Sequence, residues 1–151
     1  MTDVPTQRRM TPTPQIYLSF NGDCDAAFRF YEHRLGATRG PMAPYGNSPM
    51  AGDVPPGWET KIMHGSITLG AITLSGADLP PGRYEPPRGF RIFLEADDPA
   101  DTERLFNALA ENATIEMPLQ QTFWSLSFGV LTDQFGIPWT LSCARAPETA
   151  T

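Results

Sequence analysis

Residues 15–20, QIYLSF, alternate in character: Ile16, Leu18 and Phe20 fall on one side of an extended chain, and Gln15, Tyr17 and Ser19 on the other. A period of two marks a strand with a single apolar face. From about Asp23 to Leu35 the period lengthens. Ala27, Phe30, Tyr31 and Leu35 keep the three-and-four spacing of one helical face, and Gly36 stands where a left-handed C-terminal cap is needed. The same order then returns. RIFLEA, residues 91–96, sets Ile92 and Leu94 against Arg91, Phe93 and Glu95. A helix from about Pro99 to Glu111 follows, with Asp98 as its N-cap and Asn112 in the capping slot.

The two stretches read as copies. At an offset of 76 Leu18 meets Leu94, Phe30 meets Phe106, Gly36 meets Asn112, and Ala37-Thr38 meets Ala113-Thr114. Asparagine is the usual substitute for glycine at a left-handed position, so that match has a physical reason. KIMHGSITLGAITLSG, residues 61–76, reads as two strands joined at Gly70, and TFWSLSFGVLTDQFGIPW, residues 122–139, as strand, turn and strand. Ile62, Gly65 and Ile67 correspond to Leu126, Gly129 and Leu131 at an offset of 64; I-T-L-S at 72–75 corresponds to W-T-L-S at 139–142 at 67. Two tandem strand-helix-strand-strand-strand units follow, module one at about 14–78 and module two at about 89–143. Tails are expected at 1–13 and 144–151. Proline-rich connections fill 41–58 and 78–89, with the second strand of module one near Thr38 to Met42. The longer connection suits a lid or cavity rim, or a solvated connector.

Strand parity then divides the side chains. Ile16, Leu18, Phe20, Ile72, Leu74, Ile92, Leu94, Trp139 and Leu141 form an apolar set expected beneath the helices. Gln15, Tyr17, Ser19, Thr73, Ser75, Arg91, Phe93, Glu95, Thr140 and Ser142 form the opposite, hydrogen-bonding set.

Composition narrows the classes. Hydrophobic residues make up 40% and charged residues 19% of 151, which is globular. A net charge of −6 argues against nonspecific nucleic-acid binding, which needs a basic face. No apolar run reaches the roughly 18–20 residues of a membrane span. The start, MTDVPTQRRMTPTP, lacks the apolar segment of a secretory signal. Cys24 and Cys143 make neither a disulfide framework nor a zinc spacing, and a cytoplasmic location with reduced thiols is expected.

With the duplication established, YLSFNGDCDAAFRFYEHRLGA, KIMHGSITLGAITLSGAD and TFWSLSFGVLTDQFGIPWTLSC resemble the PhnB-like branch of the vicinal oxygen chelate superfamily, which includes glyoxalase I, bleomycin-resistance proteins and extradiol dioxygenases. The resemblance covers about residues 14–143. It implies an α+β fold of two tandem βαβββ modules whose mixed sheet curls into a cup with helices outside, and commonly a homodimer. Such proteins are sometimes labelled ubiquinone-pathway methyltransferases. No glycine-rich strand-to-helix turn for a nucleotide-like cofactor is present, so that label is not expected to hold.

In metal-using members of the superfamily the ligands come from the first and last strands of each module. Those places fall at Gln15, Thr73, Arg91 and Thr140, an unsuitable set for a divalent ion, so neither a metal nor another cofactor is expected. Arg91 instead offers a guanidinium to a carboxylate, phosphate or phosphonate, unless a carboxylate of the chain neutralises it. His64 shares parity with Ile62, which points it beneath the helix, whereas a bulge or kink at Gly65 would explain why Ile67 and Leu69 carry the apolar parity afterwards. Its correspondence to Phe128 favours packing; an acid/base in the cup and a metal ligand are the alternatives. Histidine's titration range makes His64 the best general base available, with Glu95 second. His33, late in the first helix, reads as solvated. Trp124 and Phe128 share a face and suit either ligand stacking or core and dimer packing; Tyr45 and Trp58 suit closure over a ligand or surface packing.

The expected function is binding of a small polar or anionic molecule in a metal-free cup lined by Gln15, Tyr17, Thr73, Arg91, Phe93, Trp124, Phe128 and Thr140. The alternatives are a metal-independent isomerase or lyase using Arg91 with His64 or Glu95, drug or metabolite sequestration, and a protein-interaction module.

Overall fold

The computed structural model describes residues 11–144, so the expected tails fall almost wholly outside the described residues. Module one runs β1 (Ile16–Phe20), α1 (Cys24–Leu35), β2 (Thr38–Pro44), β3 (Ile62–Leu69) and β4 (Ile72–Asp78). Module two repeats the order with β5 (Ile92–Ala96), α2 (Pro99–Leu109), β6 (Thr114–Gln120), β7 (Ser125–Thr132) and β8 (Pro138–Ala144). The architecture is α+β, two βαβββ units. Each forms a four-stranded sheet, β1-β4-β3-β2 and β5-β8-β7-β6, in which the first and last strands of the unit pair in parallel and the rest antiparallel.

The local signals explain the boundaries. Gly36 ends α1 in the left-handed conformation at φ 72°; α2 ends two residues earlier than expected, at Leu109 with Ala110 as a right-handed cap, and Asn112 takes the left-handed conformation at φ 54° only after the turn that follows. The Asp98 carboxylate accepts the Asp101 backbone N–H at 2.7 Å and opens α2 as its N-cap, with Pro99 in the first turn where no donor is needed.

α1 and α2 cover one face of each sheet, and a single core joins them. Leu18, Phe20, Leu74, Ile92, Trp139 and Leu141 are buried as expected, with Ile16 and Leu94 packed at its margin. Each fully buried side chain contributes about 1.5–3 kcal/mol. Ile72 is the exception. As the first residue of β4 after the Gly70–Ala71 turn it is 53% exposed rather than packed under the helix. Gly65 and Gly129 face the core at corresponding places: a Cβ on the first would lie 2.5 Å from the Met42 sulfur, and on the second 2.7 Å from a Phe106 ring carbon.

Strand register corrects the sequence alignment of the last strands. Gly65 pairs with Gly76 and Gly129 with Leu141, so β8 follows β4 at an offset of 65 (141 − 76), not 67. The return strand is displaced by one residue relative to the offset of 64 because the turn after β7 holds one residue more. I-T-L-S therefore matches Ile137-Pro138-Trp139-Thr140. The difference of two keeps every side chain on its assigned face, which is why parity survived the error.

Two buried aspartates fasten the frame. Asp78, at the end of β4, accepts the backbone N–H of Cys24 at 2.9 Å and of Ile62 at 2.8 Å, tying the starts of α1 and β3 together. Asp133, in the turn after β7, accepts from the Tyr31 hydroxyl at 2.5 Å, the Trp139 indole at 2.9 Å, and the backbone of Phe135 and Ile137 at 2.9 and 3.0 Å. Tyr31 lies on α1, so this carboxylate joins the two modules.

Candidate functional site

The faces of the two sheets turned away from the helices are open, and they differ. On the first, Tyr17 pairs in register with Ser75, Ser66 with Ser75, and Thr68 with Thr73, so hydroxyls fill the floor. Gln15 accepts from Ser75 across 3.2 Å. His64 also lies on this face. The register of β2 on β3 shifts between Ala43–His64 and Pro44–Ile62, so the irregularity falls at Met63 rather than at Gly65. That extra residue leaves Ile62 buried and turns His64 out beside Ser66 and Thr68. The expected packed histidine is thus an exposed one, with its Nδ1 3.4 Å from the Tyr17 hydroxyl and the two rings 5.8 Å apart. Burial pushes the Tyr17 phenol up from its ordinary range, with Cys24 and Tyr45 adding to it.

The second face is more aromatic. Phe93 pairs with Thr140, Glu95 with Ser142, and Phe128 with Ser142. Phe93 is 56% and Trp124 52% exposed, and the Trp124 ring meets Phe128 edge-on at 5.4 Å. Thr140 and Ser142 are buried beneath these larger neighbours, and Ser142 exchanges a 2.9 Å hydrogen bond with Ser125. Glu95 is exposed on β5.

Arg91 does not stand free. Its guanidinium meets Glu116 of β6 at 3.1 Å and donates to the Leu131 carbonyl at 3.3 Å; the other Glu116 oxygen accepts from Thr132 at 2.8 Å. Neutralisation by a carboxylate of the chain, the alternative left open above, describes this arginine, and the partner is not Glu95. Tyr45 is buried and donates to the Asp78 carbonyl at 2.7 Å, with the Trp58 ring 6.1 Å away, so the pair packs onto the body. His33 is exposed near the end of α1.

The arrangement of paired βαβββ units with open strand faces is matched by known proteins. The family model of the glyoxalase/bleomycin resistance protein/dioxygenase superfamily matches residues 15–141. The chain belongs to that superfamily. Among its relatives, protein YjdN of Escherichia coli K12 is 32% identical over 141 residues, 88% of this chain and 96% of YjdN. The structure of protein PA1353 from Pseudomonas aeruginosa, 44% identical, covers 89% of this chain and all of its own with a TM-score of 0.78. A Bacillus cereus PhnB protein, described as a putative 3-demethylubiquinone-9 3-methyltransferase, shares the fold at a TM-score of 0.76 and 22% identity over 88% of this chain and all of its own.

At the positions where the resemblance would place a metal's ligands, this superfamily member does not present suitable donors. Gln15 is engaged with Ser75, Thr73 and Thr140 are neutral hydroxyls, and Arg91 is a cation held by Glu116. Register also separates the threonines: the partner position of Thr140 in module one is Ser75, and that of Thr73 is Pro138. Among the described residues no group of three or more His, Cys, Asp or Glu side chains is placed to hold an ion. No helix among them is long and apolar enough to cross a membrane.

Proposed function

We propose that the protein binds a small polar molecule on the open face of its first sheet, as a cytoplasmic homodimer. The observation that carries this is the exposed Tyr17–His64 pair, set over a floor of Ser66, Thr68, Thr73 and Ser75. A hydroxyl, an imidazole and a row of small hydroxyls give directional donors and acceptors, the usual polar complement of a small-molecule site. The dimer is supported by Phe93 and Trp124, which stand partly exposed on the open side of the second sheet and would be covered by a second copy. In that assembly the rings of Phe93, Phe128 and Trp124 form the apolar wall of a cup whose polar wall is Tyr17 and His64, with Gln15 and Thr140 at its floor.

A second reading rests on the same pair. A histidine nitrogen 3.4 Å from a phenol is an arrangement for moving a proton, so isomerisation or elimination with His64 as base is the enzymatic form of this site. Glu95, on the other sheet, would act only across the assembled cup.

A library of small polar metabolites screened by thermal shift tests the proposal. A ligand at a hundred times its dissociation constant stabilises by about 2.7 kcal/mol. That gain is expected to vanish in Tyr17→Phe and His64→Ala. A hit that stabilises both variants as much as the parent would place binding elsewhere. Consumption of that ligand, lost in His64→Ala, selects the enzymatic reading, and binding without consumption selects sequestration.

A further inference from the structure

The arginines and the lysine of the described chain have partners, with two exceptions. Arg29, Arg34, Arg39, Arg91 and Arg104 each hold a carboxylate, and Lys61 donates to the Gly22 carbonyl at 2.7 Å. The guanidinium groups of Arg83 and Arg88 have neither a carboxylate nor a hydrogen-bond acceptor among the described residues. Both lie on the connection between modules, and both line one cavity of about 750 Å³. Two cations without a partner among the described residues, facing one space, are unexpected in a chain of net charge −6. Like charges repel, and an acidic chain has many carboxylates with which to relieve them.

We infer that this cavity is a binding site for a small organic carboxylate, held by Arg83 and Arg88. The chemistry of the lining selects the class. Guanidinium matches a carboxylate through paired N–H donors, and it sheds its hydration more readily than an ammonium. Glu85 also lines the space, so the two arginines leave a net charge of one. A single carboxylate neutralises that charge, whereas a dianionic phosphate overshoots it beside a carboxylate of the chain. Apart from Ser19 the remaining wall is apolar: Leu79, Pro86 and Pro87 before Arg88, and the ring of Phe90, which is 43% exposed. That wall gives an aromatic or alkyl body somewhere to rest. The volume falls within the range of small-molecule sites. Ser19, on the same strand face as Tyr17, borders the cavity, so it opens at the edge of the first sheet's open face but uses none of the groups assigned there.

Phenylacetate is the probe, titrated calorimetrically into the full chain at low salt, with acetate and inorganic phosphate as comparisons. Saturable one-site binding of phenylacetate is expected. The double variant Arg83→Gln/Arg88→Gln should lower its affinity at least tenfold, and Phe90→Ala should weaken phenylacetate more than acetate. His64→Ala should leave it unchanged, which separates this site from the Tyr17–His64 face. Because both arginines are exposed, the double variant should keep the parent's urea midpoint. The inference is overturned by the absence of saturable phenylacetate binding, by equal affinity in the double variant, by loss of binding in His64→Ala, or by tighter binding of phosphate than of phenylacetate.

Discussion

Removing a single oxygen from Tyr31 tests how the two modules are held. The Tyr31 hydroxyl donates to a buried carboxylate, that of Asp133, across the boundary between α1 and the turn after β7. Burial pushes the Asp133 carboxyl above its ordinary value of 3.8, and the hydrogen bonds from Tyr31, Ile137, Trp139 and Phe135 pull it partly back. In Tyr31→Phe the ring packing remains, including its edge-on contacts with Trp139 and Phe135, and only the donor is lost. A hydrogen bond to a charged group contributes about 1.5–3 kcal/mol. In a domain of this size that corresponds to a fall in Tm of about 3–12 °C. The pH dependence carries a sign. A carboxyl raised in the folded state contributes stability that is complete below its unfolded value and is lost as pH rises through the folded value. Without Tyr31 the folded value lies higher still, so the variant loses more on ionisation. Its deficit should be small near pH 4 and full at pH 7.5. Urea unfolding of both proteins at the two pH values measures it. A deficit below about 0.5 kcal/mol at pH 7.5, or one equally large at pH 4, would refute the hub.

Two further outcomes follow from the core. Gly129→Ala places a methyl 2.7 Å from the Phe106 ring and 3.0 Å from Leu119, and should cost about 1–3 kcal/mol in urea unfolding; an unchanged midpoint would mean that α2 yields freely. Cys24 is buried, and its thiol is pushed far above the ordinary range, by burial first and by the Asp78 carboxylate next. With Cys143 also buried, the native protein should release almost no chromophore from a disulfide-exchange reagent, while the unfolded chain releases the equivalent of both thiols. Rapid reaction of the native protein would contradict that environment.

The fold was legible because its signals are local. Alternation marks β1 and β5, and the left-handed Gly36 marks where α1 stops, whereas α2 ends at Leu109, a turn before the left-handed Asn112. The same features at one spacing expose the duplication. What escaped depends on partners distant in sequence. Arg91 finds Glu116 because β6 lies across the sheet, and β6 offers no alternation by which to be placed: TIEMPLQ carries a proline, and its register on β7 shifts twice. Asp133 could be read as a turn residue, and its two backbone acceptances in the turn agree; its side-chain donors come from α1 and β8 and leave no local trace. Asp78 closes one of the stretches that carry the family resemblance, yet nothing next to it in sequence marks it as the acceptor for Cys24 and Ile62. His64 shows how small the decisive feature can be. Its residue type drew attention at once, but its orientation turns on one irregular pairing at Met63, two residues before the glycine that seemed to announce it.

The duplication itself separates structural from functional constraint. Register makes Leu18 and Leu94 equivalent, and likewise Gly65 and Gly129, and Ile67 and Leu131. All of these face the helices, where close packing fixes volume and a methyl too many or too few costs stability. The open faces answer to no such limit, and there the copies have parted. The offset of 76 that relates Leu18 to Leu94 relates Tyr17 to Phe93, and the offset of 64 that relates Gly65 to Gly129 relates His64 to Phe128. One copy thus carries a phenol and an imidazole where the other carries two phenyl rings, on backbones that are otherwise alike. Folding alone supplies no reason for that difference, since Tyr17 and Phe93 are about equally exposed, at 54% and 56%. The ligand proposed above for these faces would supply one.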